Sequence, residues 1–343
     1  MTQLLPDPDP DPGQRAARTL GGLLARLETP RPRRRGQPRT PRQTAAWLRS
    51  KPWVDAPIPQ DVADVPTMLG TPERALLYVL ARDHVRGDGA IIDAGCFLGG
   101  STIALASGLA ENPRGAGSRP IQTYDLFTLE QTYIDSYPGL VGDIPAGQSM
   151  RPRFEELLGP LLEYVSVNEG DICRRRWTGE PIEVLFIDIC KSWAINDHVT
   201  REFFPALIPG HSVVIQQDLV HEWLPYLHIT MGLFADSFDL IDSVPFCSAV
   251  YLNTRKVSIT RIPNSLRDEL TPERKLELFD TAVAPFSGED RGVIECSRAV
   301  LLSDLGRHAD ALAHLDAVVS RHPDSDRVQH VGRDVGGWLA TQS

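Results

Sequence analysis

Short apolar runs and longer stretches with apolar residues every three or four positions take turns along the middle of this chain. The runs at Ala90–Asp93, Ile121–Tyr124, Val165–Glu169, Val184–Ile187 and Ser212–Ile215 have the length and composition of strands. The stretches Pro72–Val85, Ser101–Leu109, Arg151–Leu158 and Asn196–Leu207 carry helical spacing and lie before or between them. Strands separated by helices pair in parallel, because a parallel neighbour is reached only through a crossover. Two further runs, Phe238–Val244 and Ala249–Asn253, follow closely enough on one another to pair antiparallel. The expected fold is α/β: a Rossmann-like, doubly wound, mostly parallel sheet of seven strands.

The turn after the first strand carries the most chemistry. In GAIIDAGCFLGGST the run ends at Asp93, Gly95 follows, then the pair Gly99 and Gly100, then Ser101 at the start of a helix. Glycines let a ligand approach the backbone, and a helix N-terminus presents free N–H groups to it. A dinucleotide turn reads G-x-G-x-x-G; from Gly95 the spacing here is G-x-x-x-G-G. An acid before the turn suits a cationic, hydroxyl-rich ligand better than a pyrophosphate. S-adenosylmethionine, with its amino group, sulfonium and ribose, is such a ligand. The other reading is a glycine-rich turn that binds nothing.

Ligands of such sheets lie beyond the carboxyl ends of the strands. The second strand is followed by Asp125, whose two oxygens suit a pair of ribose hydroxyls. The third is followed by Asp171 and Ile172, placed to meet an adenine amino group and ring. For each acid the competing role is a helix N-cap. The fourth strand leads into Asp188 and Lys191 at D-x-x-K spacing, and the fifth into Gln217, Asp218 and, three residues on, His221. Two carboxylates and an amide oxygen from neighbouring strand tips can hold a hard cation such as Mg²⁺. Lys191, one of four lysines in the chain, is then the candidate base, with His221 second. The competing reading makes Lys191 a salt-bridge partner of Asp188 or Asp218.

The run MLGTPERALLYVLARDHVRGDGAIIDAGCFLGGST, with the later segments FIDICKS and LIPGHSVVIQQD, resembles the macrocin O-methyltransferase and cephalosporin-hydroxylase-like group of class I S-adenosylmethionine-dependent methyltransferases. The resemblance covers about residues 65 to 255. It implies the class I fold, in which a terminal antiparallel pair extends the Rossmann-like sheet. It also implies cofactor contacts at Asp93, Gly95, Gly99, Gly100, Ser101 and Asp125, with Met68 as a further candidate. The D-x-x-K spacing is similar to that of catechol-type O-methyltransferases, where the acid binds metal and the lysine is the base. One departure matters: Gln217-Asp218 stands where the resemblance implies an acid pair or Asp-Asn, which makes any metal site poorer in charge. A sugar hydroxyl or other polyol of a natural product or glycan is the acceptor the resemblance implies.

Composition narrows the rest. With 343 residues the chain is long enough for one large domain and a smaller unit, and its net charge of −10 speaks against general nucleic-acid binding. The five scattered cysteines, never spaced C-x-x-C, suggest free thiols in a reducing compartment. No apolar stretch approaches membrane-spanning length and the start, MTQLLPDPDPDPG, does not read as a signal peptide, so the cytoplasm is expected. Residues 1 to about 50 hold the DPDPDP tract, a candidate helix from Arg15 to Glu28 and six arginines between Arg31 and Arg42, and read as a disordered or loosely docked arm. Residues 51 to 260 form the expected catalytic domain. Residues 268 to 343 turn helical, with one tetratricopeptide-like hairpin hinged at Leu305-Gly306-Arg307 and closed by Pro323. A single such hairpin must pack on the domain, on a second subunit of a homodimer, or on a partner. Trp193, Trp223 and Tyr226 either line an acceptor pocket or pack as core.

The expected activity is methyl transfer to a hydroxyl. Two other readings stay open: a nicotinamide-dependent oxidoreductase, against which the glycine spacing speaks, and a non-catalytic scaffold with this fold.

Overall fold

The structure is a computed structural model that describes residues 39–114, 120–245 and 247–342. The candidate helix Arg15–Glu28, the DPDPDP tract and most of the arginine-rich run lie outside the described residues. Seven strands form one sheet: β1 Ala90–Ala94, β2 Ile121–Asp125, β3 Val165–Glu169, β4 Ile182–Ile187, β5 Val213–Gln216, β6 Phe238–Val244 and β7 Ser248–Asn253. Their spatial order is β3-β2-β1-β4-β5-β7-β6. The first five run parallel, and β7 lies antiparallel between β5 and β6. This is the mostly parallel Rossmann-like sheet with its antiparallel end, as the sequence implied.

Alternation along each central strand sends successive side chains to two separate cores. Ile92 and Ala94 of β1, Leu185 and Ile187 of β4, Val214 of β5 and Tyr251 of β7 pack on one face. Ile91, Val184, Phe186, Val213, Ile215, Val250 and Leu252 pack on the other. Both faces need cover, so these strands read as unbroken apolar runs. Burying a side chain such as Phe186, which has no exposed surface, contributes about 2–3 kcal/mol.

The second face is covered by helices from the N-terminal third, and here one boundary moves. The arm expected to stay loose to about residue 50 is folded from Pro41 onward. Helix Pro41–Arg49 has a reciprocal cap, Gln43 N–H to the Thr40 hydroxyl and Thr40 N–H to the Gln43 side chain. Leu48 is fully buried, while Arg49 and Lys51 pair with Asp239 and Asp242 of β6. Proline at the first helical position is tolerated because that N–H has no partner within the helix.

The first face carries helix Pro225–Leu233 and, on top of it, the C-terminal helices. Helix Pro272–Val283 lies so close that a Cβ on Gly232 would sit 1.9 Å from the Leu278 carbonyl oxygen. His228 meets the Phe279 ring at 4.7 Å. Helices Gly288–Asp304 and His308–Arg321 turn at Leu305-Gly306-Arg307, and a further helix, Asp326–Ala340, follows. Their apolar sides join the first core, so the hairpin buries its face within the same chain. No helix among the described residues is long and apolar enough to cross a membrane.

Candidate active site

The carboxyl ends of β1, β2, β4 and β5 meet in one place, and the backbone there is strained. Of four non-glycine residues with positive φ among those described, three stand at these strand tips: Phe97 (46°), Phe127 (53°) and Asp218 (64°). Left-handed backbone costs energy for residues with a Cβ and concentrates at functional sites.

The turn after β1 is built around Asp93. Its carboxylate has no exposed surface and accepts from the Ser101 hydroxyl at 2.9 Å and the Thr102 hydroxyl at 2.5 Å. Burial pushes Asp93 up to about 6, against the pull of those two hydrogen bonds. Asp93 and Ser101, expected at the cofactor, thus face inward and clamp the first helical turn to the strand. Gly95, at φ 96°, comes so close to β4 that a Cβ would lie 2.5 Å from the Asp188 carbonyl oxygen. Gly99 backs onto Leu158 and Phe154, and Gly100 onto Thr67, beside the 42%-exposed Met68.

Asp125 ends β2 with its side chain at the rim. Each carboxylate oxygen takes one backbone N–H, from Phe97 and from Phe127, both at 2.8 Å. Burial raises its pKa, and the Phe127, Phe97 and Cys96 N–H groups only partly offset this. An ionised carboxylate offers about four lone-pair sites, so two N–H donors leave room for two more. Leu126, directly after it, is 54% exposed. Sequence reasoning passed over Leu126, and over Phe97, whose ring lies 5.4 Å from Tyr133.

The third tip is arranged otherwise than expected. Asp171 accepts from the Cys173 N–H at 2.9 Å, the N-cap role weighed against adenine contact. Ile172 is buried in the first core with 3% exposure, so it packs under the site and leaves no surface for a ring.

Between β4 and β5 lies a charged triad. Lys191 Nζ donates to Asp188 Oδ1 at 2.7 Å and also to Asp218. Burial pulls the ammonium pKa down, but the two carboxylates outweigh it and hold Lys191 well above its ordinary value. Asp188, desolvated and facing Asp218, is pushed above its ordinary value despite Lys191. Lys191, expected as the base, is therefore the protonated centre of the triad, because two acids from adjacent strand ends close on it. Glu73, which sequence reasoning missed, lies beneath: it is 1% exposed, takes the Ser248 hydroxyl at 2.6 Å and the Gly70 N–H at 2.9 Å, and is pushed up by burial. Its only trace in the sequence was an acid at the third helical position, where a cap is the ordinary role.

The residues expected to hold Mg²⁺ do not fit a metal. The ammonium occupies the space between Asp188 and Asp218. Gln217 turns its amide N–H toward the Cys247 sulfur at 3.1 Å, and its Oε1 is buried without a protein partner. Among the described residues no group of three His, Cys, Asp or Glu is disposed around a common ion. His221 accepts from the Trp223 N–H at 3.3 Å and faces Glu222 at 3.4 Å.

Aromatic residues brace the two loops. Tyr226 donates its hydroxyl to the Cys190 carbonyl at 3.0 Å and lies 5.2 Å from Trp193. Trp223 meets Trp338 of the last helix edge-on at 5.8 Å, and Arg327 of that helix donates to the Val220 carbonyl at 2.9 Å. The C-terminal helices thus hold the loop that follows Asp218.

No protein-family model matches the chain, and no curated protein does. Solved structures give weak likenesses. CalS11, a TDP-rhamnose 3'-O-methyltransferase of calicheamicin biosynthesis, is 20% identical over 62% of this chain and 93% of its own, with a TM-score of 0.40. Cofactor-bound Rv0187 from MTB is 16% identical over 64% and 99%, with a TM-score of 0.37. An O-methyltransferase from Bacillus cereus in complex with SAH is 19% identical over 53% and 76%, with a TM-score of 0.32.

Proposed function

We propose that this chain is an S-adenosylmethionine-dependent O-methyltransferase that acts on a hydroxyl of a small-molecule acceptor, a sugar or other polyol. One observation carries the reading: the glycine turn of β1 is pressed against the backbone of Asp188, while Asp125 holds the same turn through the Phe97 N–H. A ligand seated on that turn therefore lies beside the triad. When bound, S-adenosylmethionine supplies a methyl group on a cationic sulfur, which an oxygen nucleophile displaces in line, leaving a neutral thioether.

The chain's own residues do the rest. Asp125 accepts the ribose hydroxyls with the lone pairs its two N–H donors leave free. Leu126 and Met68 offer apolar surface to the adenosyl group. Asp93, Ser101 and Thr102 serve by fixing the turn and helix N-terminus, a positioning role. Lys191, already protonated, donates to the acceptor oxygen and orients it. The proton lost from that hydroxyl passes to a carboxylate of the Asp188–Asp218 pair as the new carbon–oxygen bond forms. Alignment is the larger part of such a reaction, since holding the reactants together removes the entropy of encounter.

Calorimetric titration of the full chain with S-adenosylmethionine, S-adenosylhomocysteine and NAD tests the reading. Binding of both sulfur compounds and not of NAD is expected. Binding of NAD alone would make the chain an oxidoreductase, and binding of none would leave a scaffold.

A further inference from the structure

We propose that the Lys191 ammonium is the resident cation of this site, standing where an acid pair at these strand tips would otherwise hold a divalent ion. The inference rests on the reading of the site given above and concerns what meets the acceptor oxygen there.

Asp188 follows β4 and Asp218 follows β5, and the two strands pair with Ile187 opposite Gln216. That register brings both carboxylates to a separation one cation spans. Lys191 fills the gap from the Asp188 side, three residues on, and bonds to both. An octahedral divalent ion such as Mg²⁺ needs oxygen ligands at about 2.1 Å, and the ammonium nitrogen occupies that volume. Like charge adds to the exclusion, because a second cation beside the ammonium is repelled at short range.

The remaining donors point the same way. Gln217, the third expected ligand, spends its N–H on Cys247, and Cys247 lies 3.6 Å from Asp218 Oδ1 as a thiol donor. Glu73 has both oxygens committed to Ser248 and Gly70. The buried Oε1 of Gln217 has no protein partner.

The consequence is chemical. A divalent ion selects acceptors that chelate it through two adjacent oxygens, whereas an ammonium meets one oxygen with one N–H. The acceptor hydroxyl then needs no neighbouring donor.

The test is Mn²⁺ binding, followed by loss of the free-ion electron paramagnetic resonance signal, on the full chain with and without S-adenosylhomocysteine. Wild type is expected to take up no Mn²⁺ at this site below the millimolar range. Lys191→Ala is expected to bind at least tenfold more tightly, and Lys191→Ala combined with Asp218→Asn to lose that gain. Lys191→Ser, which likewise removes both the charge and the volume between Asp188 and Asp218, serves if Lys191→Ala does not fold. Micromolar binding by wild type that Asp188→Asn abolishes would overturn the proposal, as would a folded Lys191 variant that gains no affinity. Neither result bears on cofactor binding, so failure here and failure of the transferase reading are told apart.

Discussion

The two ends of strands β4 and β5 carry similar chemistry and put it to opposite use. At the amino end Glu183 of β4 meets His211, just before β5, at 2.6 Å; their side chains are 0% and 4% exposed. The same carboxylate takes the N–H groups of Arg86 and Gly89, and His84 bonds the His211 carbonyl and stacks on Trp47. Burial alone would raise the pKa of Glu183, but the bonds from His211, Arg86 and Gly89 prevail and hold it below the ordinary value. At the carboxyl end Asp188 and Asp218 close on a lysine that is 46% exposed, next to strained backbone at Phe97, Phe127 and Asp218. One charged cluster is sealed and joins segments distant in sequence. The other stays open, with strained backbone beside it.

Exchanging the loss between the two ends is the strongest way to break this contrast. Glu183→Ala strands two backbone N–H groups and a histidine in the interior and is expected to cost about 3–5 kcal/mol, read from urea midpoints. Asp188→Asn removes an acid whose ionisation the fold disfavours, and is expected to stay within about 1 kcal/mol of wild type. Equal losses from both would erase the distinction.

Acid sensitivity should belong to the sealed interior. Burial holds His84 well below its ordinary value and His228 at about 4, so both stay neutral in the folded chain while the unfolded chain protonates them. Stability is then complete above about pH 6.5 and falls as pH drops from there toward 4, His228 alone contributing on the order of 3 kcal/mol. Thermal midpoints against pH check this, and His228→Gln should flatten the slope.

At the open end, Asp125→Ala is expected to weaken S-adenosylhomocysteine binding about 10- to 100-fold by calorimetry, or about 1.5–3 kcal/mol, with a smaller effect on folding. Unchanged affinity would remove Asp125 from the ribose. The smallest effect is sought in the tail. Arg327→Ala or Trp338→Ala should cost about 1 kcal/mol and quicken amide exchange in Leu219–Trp223 while leaving Asp93–Thr102 protected. Exchange that rises in both loops together would mean that the tail supports the whole sheet and not that loop.

The apolar runs marked all seven strands to within two residues, because a sheet covered on both faces needs apolar side chains at successive positions. The glycine turn, Asp125 and the D-x-x-K loop were legible for a similar reason: each follows a strand, and strand ends are where such sheets bind. Other matters were settled only by contacts between distant segments. Helix Pro41–Arg49 looked too rich in proline and arginine to fold until its cap and the acids of β6 were in place. Ile172 turned into the core, and Glu73 came under the triad from more than a hundred residues away in sequence. Lys191 is the sharpest case. Local spacing fixes that it follows Asp188 by three residues, but whether its amine is a free base or a bridged cation depends on Asp218, which only the pairing of β4 with β5 delivers. Periodicity is a property of neighbours along the chain, and protonation is a property of neighbours in space.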